Sequence, residues 1–349
     1  MEKENILVTG GAGYIGSHIV RDLGQKGFNP IVYDNLSTGN RANVLYGDFI
    51  LGDVGNTALV KEIIQKYSIK SVIHFAAFIV VSESVSQPFK YYENNSFNTF
   101  KLVKTCIDTG IENFVFSSTA AVYGIPEKIP VDETTAMNPI NPYGKSKVFT
   151  EMLLKDVSIA YPGFNYIALR YFNVAGADPQ ARIGQNYKNP THLITLALKT
   201  ALGDYPHLNI FGTDYNTPDG TTIRDYIHID DLSNAHLLAL DYLKARKKSR
   251  VFNCGYGMGR SVMEVVKTTK KVTGIDFPTK PADPRPGDPP ELVADSTLIQ
   301  KELDWKPMYN DLDYIIKTSW EWEKKLKEQN AQGARNKTTM GAFNDTKTS

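Results

Sequence analysis

The stretch Asn5-Ile6-Leu7-Val8-Thr9-Gly10-Gly11-Ala12-Gly13-Tyr14-Ile15-Gly16 decides the fold of this 349-residue chain. It places a short apolar β-run directly before a glycine cluster that satisfies GxxGxxG from its first glycine and GxGxxG from its second. Glycines at a strand-to-helix junction allow a tight turn and let a pyrophosphate approach the N terminus of the following helix. The stretch therefore predicts a dinucleotide-binding βαβ unit at the start of the chain.

Further apolar, β-rich runs follow at residues 30–33, 71–75, 113–116 and 166–169, and longer amphipathic stretches separate them. This alternation is typical of parallel βαβ units. The runs are continuously apolar, as expected for strands that are buried on both faces. We therefore predict an α/β protein with a doubly wound parallel sheet, the Rossmann fold, and a smaller C-terminal α/β domain that binds substrate.

The pattern divides the chain into three segments. Residues 1–175 carry the regular alternation and are predicted to form the dinucleotide-binding Rossmann domain, with later segments returning to it. Residues 176–327 are less regular, with helical patterns at 191–201, 231–244 and 262–273, and are predicted to form a cap domain beside a ligand cleft. Residues 328–349 are rich in Asn, Gly, Thr and Lys, which predicts a disordered tail.

Charge and composition exclude several classes of function. The 39 basic residues nearly balance the 38 acidic ones, so no net field would draw the chain to nucleic acid or to an anionic membrane. The longest apolar stretch, 72–81, is well below the roughly 18 residues that span a bilayer. Cys106 and Cys254 are too few for a disulfide scaffold and lack the clustering of a metal site. We expect a cytoplasmic protein with a small-molecule partner and no metal, nucleic acid or membrane.

An acidic residue, Asp34, ends the second predicted strand about 20 residues after the glycines. A carboxylate at this point accepts hydrogen bonds from ribose hydroxyls and repels a 2′-phosphate, which favours NAD over NADP. The same residue also suits a turn in the segment 34–39, and the two roles are compatible. Asp53 follows the next strand-like run and is predicted to meet the adenine, although an Asp there is equally often a helix N-cap.

Tyr143 and Lys147 are four residues apart, which places a phenol and an ammonium on the same face of a helix. A nearby cation favours the phenolate, and a tyrosine becomes a useful base at neutral pH only with the help of such charges. Ser117, Ser118 and Thr119 end a predicted strand, where hydroxyls face the ligand crevice of a doubly wound sheet. These residues predict an acid–base site beside the dinucleotide.

The glycine motif, the strand ending in Ser-Ser-Thr, Tyr-x-x-x-Lys and Arg170-Tyr171-Phe172-Asn173 occur together in this chain. Taken together they resemble the extended short-chain dehydrogenase/reductase family, in particular its NAD-dependent nucleotide-sugar epimerases. The likeness extends from about residue 5 to residue 322 and includes the more specific segments 74–77, 91–95, 210–215, 219–221 and 224–228. The resemblance implies tightly bound NAD and a UDP-sugar substrate.

The resemblance implies the reversible epimerisation of UDP-galactose and UDP-glucose at sugar C4 through a transient 4-keto intermediate. Tyr143 would take the proton of the 4-hydroxyl, Lys147 would tune Tyr143 and hold the nicotinamide ribose, and Thr119 would bond the same hydroxyl. The cofactor would accept the C4 hydrogen and return it to the other face of the sugar. Net redox is zero, so NAD is expected to stay bound.

The family match also implies which residues contact the two ligands. The cofactor contacts are Gly10, Gly13, Tyr14, Ile15, Gly16, Asp34, Asn35, Leu36, Ser37, Thr38, Gly39, Asp53, Val54, Phe75, Ala76, Ala77, Asn94, Ser117, Tyr143, Lys147 and Phe172. The substrate contacts are Thr119, Tyr143, Asn173, His192, Leu193, Asn209, Phe211, Arg224, Arg285, Asp288 and Leu292. Arginines can clamp a diphosphate bidentately, although a surface ion pair with a neighbouring Asp is an equally ordinary role for either one alone.

Three positions depart from the most familiar pattern of the family. Ile79 stands where some members place a lysine near the nicotinamide, which removes a donor. The segment Thr191-His192-Leu193 replaces an Asn-Asn-Leu loop, so His192 is either a substrate contact or a structural histidine. Leu292 is smaller than the tyrosine that some members carry at the position gating the room around the sugar 2-substituent. We therefore expect N-acetylated substrates to fit.

Other activities stay open at this point. UDP-N-acetylglucosamine and UDP-glucuronate 4-epimerases would carry the same motifs. Nucleotide-sugar dehydratases place an Asp-Glu pair after the strand-end threonine, and decarboxylases carry an acidic residue in that segment, whereas Ala120 and Ala121 follow Thr119 here. A sensor that had lost catalysis would usually lack the Tyr or the Lys of the motif, and both are present.

The resemblance also bears on assembly, because the family usually pairs two long helices of each subunit into a four-helix bundle. The candidate helices are 89–109 and 145–160, where Phe97, Phe100 and Met152 suit either an interface or the core. We expect a homodimer.

Overall fold

A computed structural model of the chain describes residues 3–285 and 288–345. The strands in these ranges are β1 Asn5–Thr9, β2 Asn29–Asp34, β3 Asp48–Leu51, β4 Ser71–His74, β5 Asn113–Ser117, β6 Asn165–Tyr171, β7 Asn173–Ala175, β8 Leu208–Phe211, β9 Ile223–His228, β10 Arg250–Cys254, β11 Gly259–Ser261, β12 Thr279–Ala282 and β13 Glu291–Leu292. The helices are α1 Tyr14–Gln25, α2 Thr57–Lys66, α3 Val81–Ser86, α4 Pro88–Tyr91, α5 Asn98–Asp108, α6 Pro142–Ala160, α7 Leu193–Ala201, α8 Ile229–Arg246, α9 Val262–Thr273, α10 Thr297–Leu303 and α11 Leu312–Asp345. A π-helical turn, Tyr92–Phe97, joins α4 to α5.

The main sheet contains seven parallel strands in the order β3-β2-β1-β4-β5-β6-β10. Strand β1 lies third in this order, next to the central strand β4, with Leu7 opposite Ile31 of β2 and Val72 of β4. The direction in which the strands are added reverses between β1 and β4, which is the switch point where ligands bind in doubly wound sheets. The predicted fold class is confirmed.

Helices cover both faces of this sheet because the side chains of β1 alternate between two buried clusters. Ile6 and Val8 pack with Leu232 of α8 on one face. Leu7 packs with Leu102 of α5 on the other. Burial on both faces is the physical reason for the uninterrupted Ile-Leu-Val run.

Strand β10 is the element of the main sheet that the sequence did not predict. It lies inside the segment 176–327, and with α8 it returns to the edge of the sheet beside β6, where Phe252 faces Leu169. Arg250 and Asn253 interrupt its apolar pattern. Its partner strand lies about 80 residues earlier, so no local signal indicates the pairing.

A smaller sheet is built around β9, which pairs with β7 and β13 in parallel and with β11 antiparallel. Strands β8 and β12 form a separate parallel pair. Helices α7, α9 and α11 pack beside these strands through a cluster that includes Leu198, Val265 and Ile316. Because Asn173 of β7 lies opposite Tyr226 of β9, this region begins directly at the end of β6.

Helix α11 differs from the predicted disordered tail, because it continues through residues 328–345. Lys, Glu, Gln and Ala are strong helix formers, and residues 324–335 are rich in them. They extend a helix whose first turns pack on the folded region through Ile315 and Ile316. Residues 346–349 lie outside the described residues. Nowhere in the described ranges is a helix long and apolar enough to cross a membrane.

Candidate active site

The glycine-rich turn joins β1 to α1 at the carboxyl end of the main sheet. Gly10 has a φ of +71°, and a Cβ there would lie 2.6 Å from the backbone nitrogen of Ala76. A Cβ on Gly16 would lie 2.4 Å from the carbonyl oxygen of Gly10. Both positions therefore require glycine, which brings the N terminus of α1 close to the end of β1.

A cleft of about 650 Å³ opens at this edge of the sheet. Its walls contain most of the predicted cofactor contacts, namely Gly10, Gly13, Tyr14, Ile15, Gly16, Asp34, Asn35, Ser37, Thr38, Gly39, Asp53, Val54, Phe75, Ala76, Ala77, Asn94, Ser117 and Lys147. Within the described part of the chain, no side chain caps the N terminus of α1. The first N–H groups of that helix are thus left for an anionic ligand.

Asp34 lies on the cleft wall and organises it. Its carboxylate accepts hydrogen bonds from the backbone N–H of Ala12 at 3.0 Å and of Leu36 at 2.7 Å. Burial raises the pKa of Asp34, and these two hydrogen bonds lower it. Asp53 is also on the wall, where Asn35 donates to it at 2.9 Å. The N-cap of α2 is Asn56, so the alternative role for Asp53 as that cap is wrong.

Tyr143 and Lys147 lie in the first turns of α6. The Nζ of Lys147 donates to the carbonyl oxygen of Ser117 at 2.9 Å and lies 6.0 Å from the centre of the Tyr143 ring. The rings of Tyr143 and Tyr91 are nearly perpendicular, with 6.5 Å between the ring centres. The end of β5 and the start of α6 thus hold the predicted phenol and ammonium together.

Burial governs the ionisation of this pair. It lowers the pKa of Lys147 to about 7, while the charge of Glu151 raises it. Burial also raises the pKa of Tyr143, and a hydrogen bond with the Thr119 side chain lowers it. In this state Tyr143 is a neutral phenol at neutral pH, and its conversion to a base requires positive charge close by.

Lys147 and Ser117 line the cleft, whereas Tyr143 and Thr119, at 8% and 9% exposure, are not among the described residues that line it. The Ser117 hydroxyl is hydrogen-bonded to the hydroxyl of Tyr171, a wall residue from the Arg-Tyr-Phe-Asn motif that was not predicted as a cofactor contact. Two other predicted cofactor contacts, Leu36 and Phe172, are not on the wall. Phe172 packs in a buried cluster with Ala120 and Leu292 instead.

A second, small cavity adjoins the cleft and shares Tyr14 and His192 with it. Asn173 and Leu193, both predicted substrate contacts, line this cavity. The ring of His192 stacks on Tyr187 with 5.9 Å between centres, and burial lowers its pKa to about 4. Its Nδ1 has no hydrogen-bond partner among the described residues. A neutral imidazole with a free nitrogen is a ready contact for a ligand hydroxyl.

The two predicted arginines converge on one carboxylate. Asp288 accepts from Arg224 Nη2 at 2.5 Å and from Arg285 Nη2 at 3.0 Å. The guanidinium carbon of Arg285 lies 5.1 Å from the centre of the Phe211 ring. Arg224 shares a face of β9 with Tyr226, which lines the small cavity, because side chains two residues apart point the same way. The ion pairs that the sequence left open are present.

Two further predicted substrate contacts lie near this arginine cluster without lining either cavity. Asn209 is exposed on β8, two residues before Phe211. Leu292 lies opposite Arg224 in the β13–β9 pairing.

Sequence reasoning missed part of the cleft wall. Glu83 and Lys90 form an ion pair of 2.7 Å there, and the Lys90 Nζ lies 4.4 Å from the centre of the Phe78 ring. The irregular segment 186–189 forms another part of the wall. Neither the Glu83–Lys90 pair nor the segment 186–189 belongs to a motif. Charged residues in short helices usually face solvent, so the sequence offered no reason to place this pair in the cleft. Ile79 does line the cleft, so the donor that it removes is missing at the site.

Residues 6–255 match the family model described as the NAD dependent epimerase/dehydratase family. The match covers the main sheet from β1 to β10, including the late strand that sequence patterns did not indicate. The chain belongs to this family.

Within the family, the similarity is to UDP-glucose 4-epimerases. The chain is 48% identical over 328 residues to the UDP-glucose 4-epimerase of Azospirillum brasilense, and the match covers 94% of each chain. It is 46% identical to the solved structure of UDP-glucose 4-epimerase from Brucella ovis in complex with NAD, with a TM-score of 0.88 over 91% of this chain and 97% of that one. The enzyme from Bifidobacterium longum in complex with NAD⁺ and UDP is 36% identical, with a TM-score of 0.87 over 92% and 98% of the two chains. The resemblance inferred from the motifs is confirmed.

The residues of the cleft fit the cofactor of this family. The glycine turn and the uncapped helix N terminus present backbone N–H groups to a pyrophosphate. Asp34 presents a carboxylate on the same wall, and Lys147 presents an ammonium beside Tyr143. The prediction that NAD is the cofactor is confirmed.

Proposed function

We propose that this chain catalyses the reversible epimerisation of UDP-galactose and UDP-glucose at sugar C4. The observation that carries the proposal is the buried Tyr143–Lys147 pair, whose lysine lines a cleft that fits NAD. Its relatives support the substrate, because the proteins compared above are UDP-glucose 4-epimerases.

In the proposed reaction Tyr143 takes the proton of the sugar 4-hydroxyl, and Thr119 bonds the same hydroxyl. Because burial raises the pKa of Tyr143, the phenolate needs stabilising charge, and the Lys147 ammonium supplies it from 6.0 Å away from the ring centre. NAD, when bound, supplies the acceptor and donor for the hydrogen at C4. The 4-keto sugar turns in the cleft before Tyr143 returns the proton to its oxygen.

The arginine cluster holds the diphosphate in this proposal. Arg224 and Arg285 already share Asp288, and a diphosphate offers the same bidentate geometry with more charge. The substrate would thus displace the carboxylate, which becomes free to accept hydrogen bonds from the uridine ribose. His192, whose Nδ1 has no hydrogen-bond partner among the described residues, lines both the small cavity and the cleft. Asn173, Leu193, Asn209, Phe211 and Leu292 are the remaining proposed contacts.

The segment after Thr119 gives no support to a dehydratase or decarboxylase. Ala120 is buried in an apolar cluster with Val122 and Leu292, and Ala121 follows it. Methyl groups at these positions cannot move protons.

We propose that residues 1–175 form the NAD-binding domain and residues 176–327 the substrate-binding domain, with α8 and β10 returning to the first domain.

We also propose that the protein is a homodimer. Large apolar side chains are exposed on the helices between residues 88 and 108 and on α6, namely Phe89 at 87%, Phe97, Phe100, Phe149, Met152 and Ile159. A second copy of the chain would bury these side chains by pairing the same helices. Sedimentation of a Phe89→Glu, Met152→Glu variant tests this, and a wild-type chain that sediments as a monomer contradicts it.

The buried, unpaired state of both cysteines suits the reducing cytoplasm that we propose as the location.

The proposed activity is tested with purified protein, UDP-galactose and no added nucleotide, by following the formation of UDP-glucose. UDP-N-acetylgalactosamine and UDP-galacturonate are run in parallel, and the N-acetyl arm tests whether Leu292 leaves room at the sugar 2-position. Turnover of UDP-galactose supports the proposal. Turnover of the uronate alone contradicts the substrate, and no turnover of any sugar even with NAD added contradicts the activity.

A further inference from the structure

A buried ion pair lies behind the Tyr143–Lys147 pair and has no part in the reaction proposed above. Glu151 follows Lys147 by one turn of α6, and Arg170 lies on β6. Arg170 Nη2 is 2.6 Å from Glu151 Oε2, and Arg170 Nε is 3.0 and 3.1 Å from the two carboxylate oxygens. Both side chains are buried. The contact is therefore bidentate and shielded from water.

The same carboxylate is tied to the strand end that carries the acid–base residues. The Ser118 hydroxyl donates to Glu151 Oε1 at 2.5 Å. On either side of Ser118, the Ser117 carbonyl accepts from Lys147, and the Thr119 side chain lowers the pKa of Tyr143. Glu151 thus connects α6 to the end of β5 at the point where the site is assembled.

The far side of the ion pair is equally well bonded. Arg170 Nη1 donates to the Tyr123 hydroxyl at 3.0 Å, and that hydroxyl donates to Asn253 of β10 at 2.6 Å. Burying an ion pair gives little net stability over well-packed apolar side chains, so stability does not by itself explain charges at this place.

The charged and titratable groups around Lys147 show which of them sets its charge. On α6 they are Tyr143 and Glu151, and the Arg170 guanidinium of β6 is paired with the Glu151 carboxylate. From β4, His74 faces it, but that imidazole is bonded to Thr9 and Thr99, and burial lowers its pKa to about 3, so it is neutral. The neighbouring side chain of β5 is the apolar ring of Phe116, 5.0 Å from Nζ. Among the described residues, Glu151 is the acidic group whose charge acts on Lys147.

We propose that Glu151 is a positioning residue for the epimerisation: it fixes the end of β5 against α6 and keeps Lys147 in the ammonium form that stabilises the Tyr143 phenolate. The inference rests on the proposed function for its role in catalysis. Glu151 lies eight positions after Tyr143, about 12 Å along a helix, and Lys147 lies between them. The effect of Glu151 on Tyr143 therefore passes through the lysine.

The test is a titration of tyrosinate absorbance in the wild-type holoenzyme and in Glu151→Gln. Each is compared with the same protein carrying Tyr143→Phe, so the difference isolates Tyr143. We expect Glu151→Gln to raise the pH at which Tyr143 ionises by about one unit, a tenfold change in proton affinity, because the variant lowers the fraction of Lys147 that carries a proton while Tyr143 loses its own. Glu151→Asp keeps the charge and should titrate like wild type. Direct repulsion between Glu151 and the phenolate would shift the value of Glu151→Gln downward, and a downward shift or no shift overturns the proposal.

Two controls separate charge from folding. Asp178→Asn removes another buried carboxylate held by arginines, at 2.9 Å from Arg21 and 2.7 Å from Arg182, and should destabilise the protein without moving the Tyr143 titration. Ser118→Ala removes the hydrogen bond between β5 and Glu151 but keeps the charge of Glu151. It should therefore lower kcat without moving the Tyr143 titration. If Ser118→Ala shifts the titration as far as Glu151→Gln does, the charge assignment is wrong.

The outcomes also distinguish this inference from the proposed function. If Glu151→Gln does not fold, the proposal is tested with the titrations and kcat values of Glu151→Asp and Ser118→Ala. A wild-type protein that epimerises no UDP-sugar contradicts the proposed function, whatever the titration shows. A shifted titration supports the electrostatic role of Glu151 in either case.

Discussion

The two halves of the proposed ligand site are built by different means. The half at the carboxyl end of the main sheet presents backbone: a turn that admits only glycine at Gly10 and Gly16, and the uncapped N terminus of α1. The half around β9 presents side chains, with Arg224, Asp288 and Arg285 converging from β9 and from the chain between β12 and β13. Backbone recognition depends on a local sequence pattern, whereas the side-chain site depends on elements that are distant in sequence.

The halves also differ in rigidity. The acid–base residues at the end of the main sheet are buried and tied into β5. In the arginine cluster the Arg285 side chain is 54% exposed, and its partner Asp288 is also the partner of Arg224. The first half is thus built to retain a cofactor, and the second to exchange a charged ligand.

Tyr143→Phe should break the chemistry while leaving both binding halves intact. Loss of the phenol removes the proton acceptor, and we expect kcat to fall by about 10³-fold, within the usual range for a general base. The purified variant should still contain bound nucleotide, measured by its release on denaturation. A variant that keeps more than a tenth of the wild-type kcat contradicts the role of Tyr143.

Gly16→Ala should damage the backbone half alone. Its Cβ would lie 2.4 Å from the Gly10 carbonyl, so the turn must shift, and we expect NAD affinity to fall at least about tenfold with a loss of 1–3 kcal/mol in unfolding free energy. The matched control is Gly163→Ala, where no atom lies within 4 Å of the added Cβ. Equal nucleotide content in the two purified variants would show that the turn does not hold the cofactor.

Arg224→Lys should damage the side-chain half alone. A lysine cannot form the bidentate contact, and a hydrogen bond to a charged group contributes about 1.5–3 kcal/mol, so the KM for UDP-galactose should rise about 10- to 100-fold at unchanged nucleotide content. Arg285→Lys should have a smaller effect, because its side chain is 54% exposed against 11% for Arg224. The reverse order of the two variants contradicts the proposed clamp.

Acid should weaken both halves together. His74 in the main sheet and His228 on β9 are buried, and burial lowers the pKa of each to about 3. The unfolded chain binds protons near pH 6.5, so stability is full above that value and falls as the pH drops toward 3, by about 1.4 kcal/mol per pH unit for each histidine. Urea unfolding between pH 7.5 and 5 measures this slope, and His74→Gln should reduce it. A flat profile would show that these histidines already bind protons in the folded state.

The same contrast explains how far the sequence alone could predict the molecule. Strands β1, β2, β4, β5 and β6 were predicted because burial on both faces leaves continuous apolar runs. The cofactor wall followed from the glycine motif and Asp34, whose roles depend on local geometry. Strand β10, the Glu83–Lys90 pair and the Glu151–Arg170 pair were missed, since each acquires its role from partners brought together only by folding.

The central claim is that one site removes the hydrogen from C4 and returns it to the same sugar, with a cofactor that does not leave. It is tested most directly with UDP-galactose deuterated at C4, incubated with the purified protein and no added nucleotide. The UDP-glucose that forms should keep the full label at C4, and no label should enter C4 when unlabelled substrate is converted in deuterated water. Loss of the label to solvent, or dependence of turnover on added NAD, would contradict it.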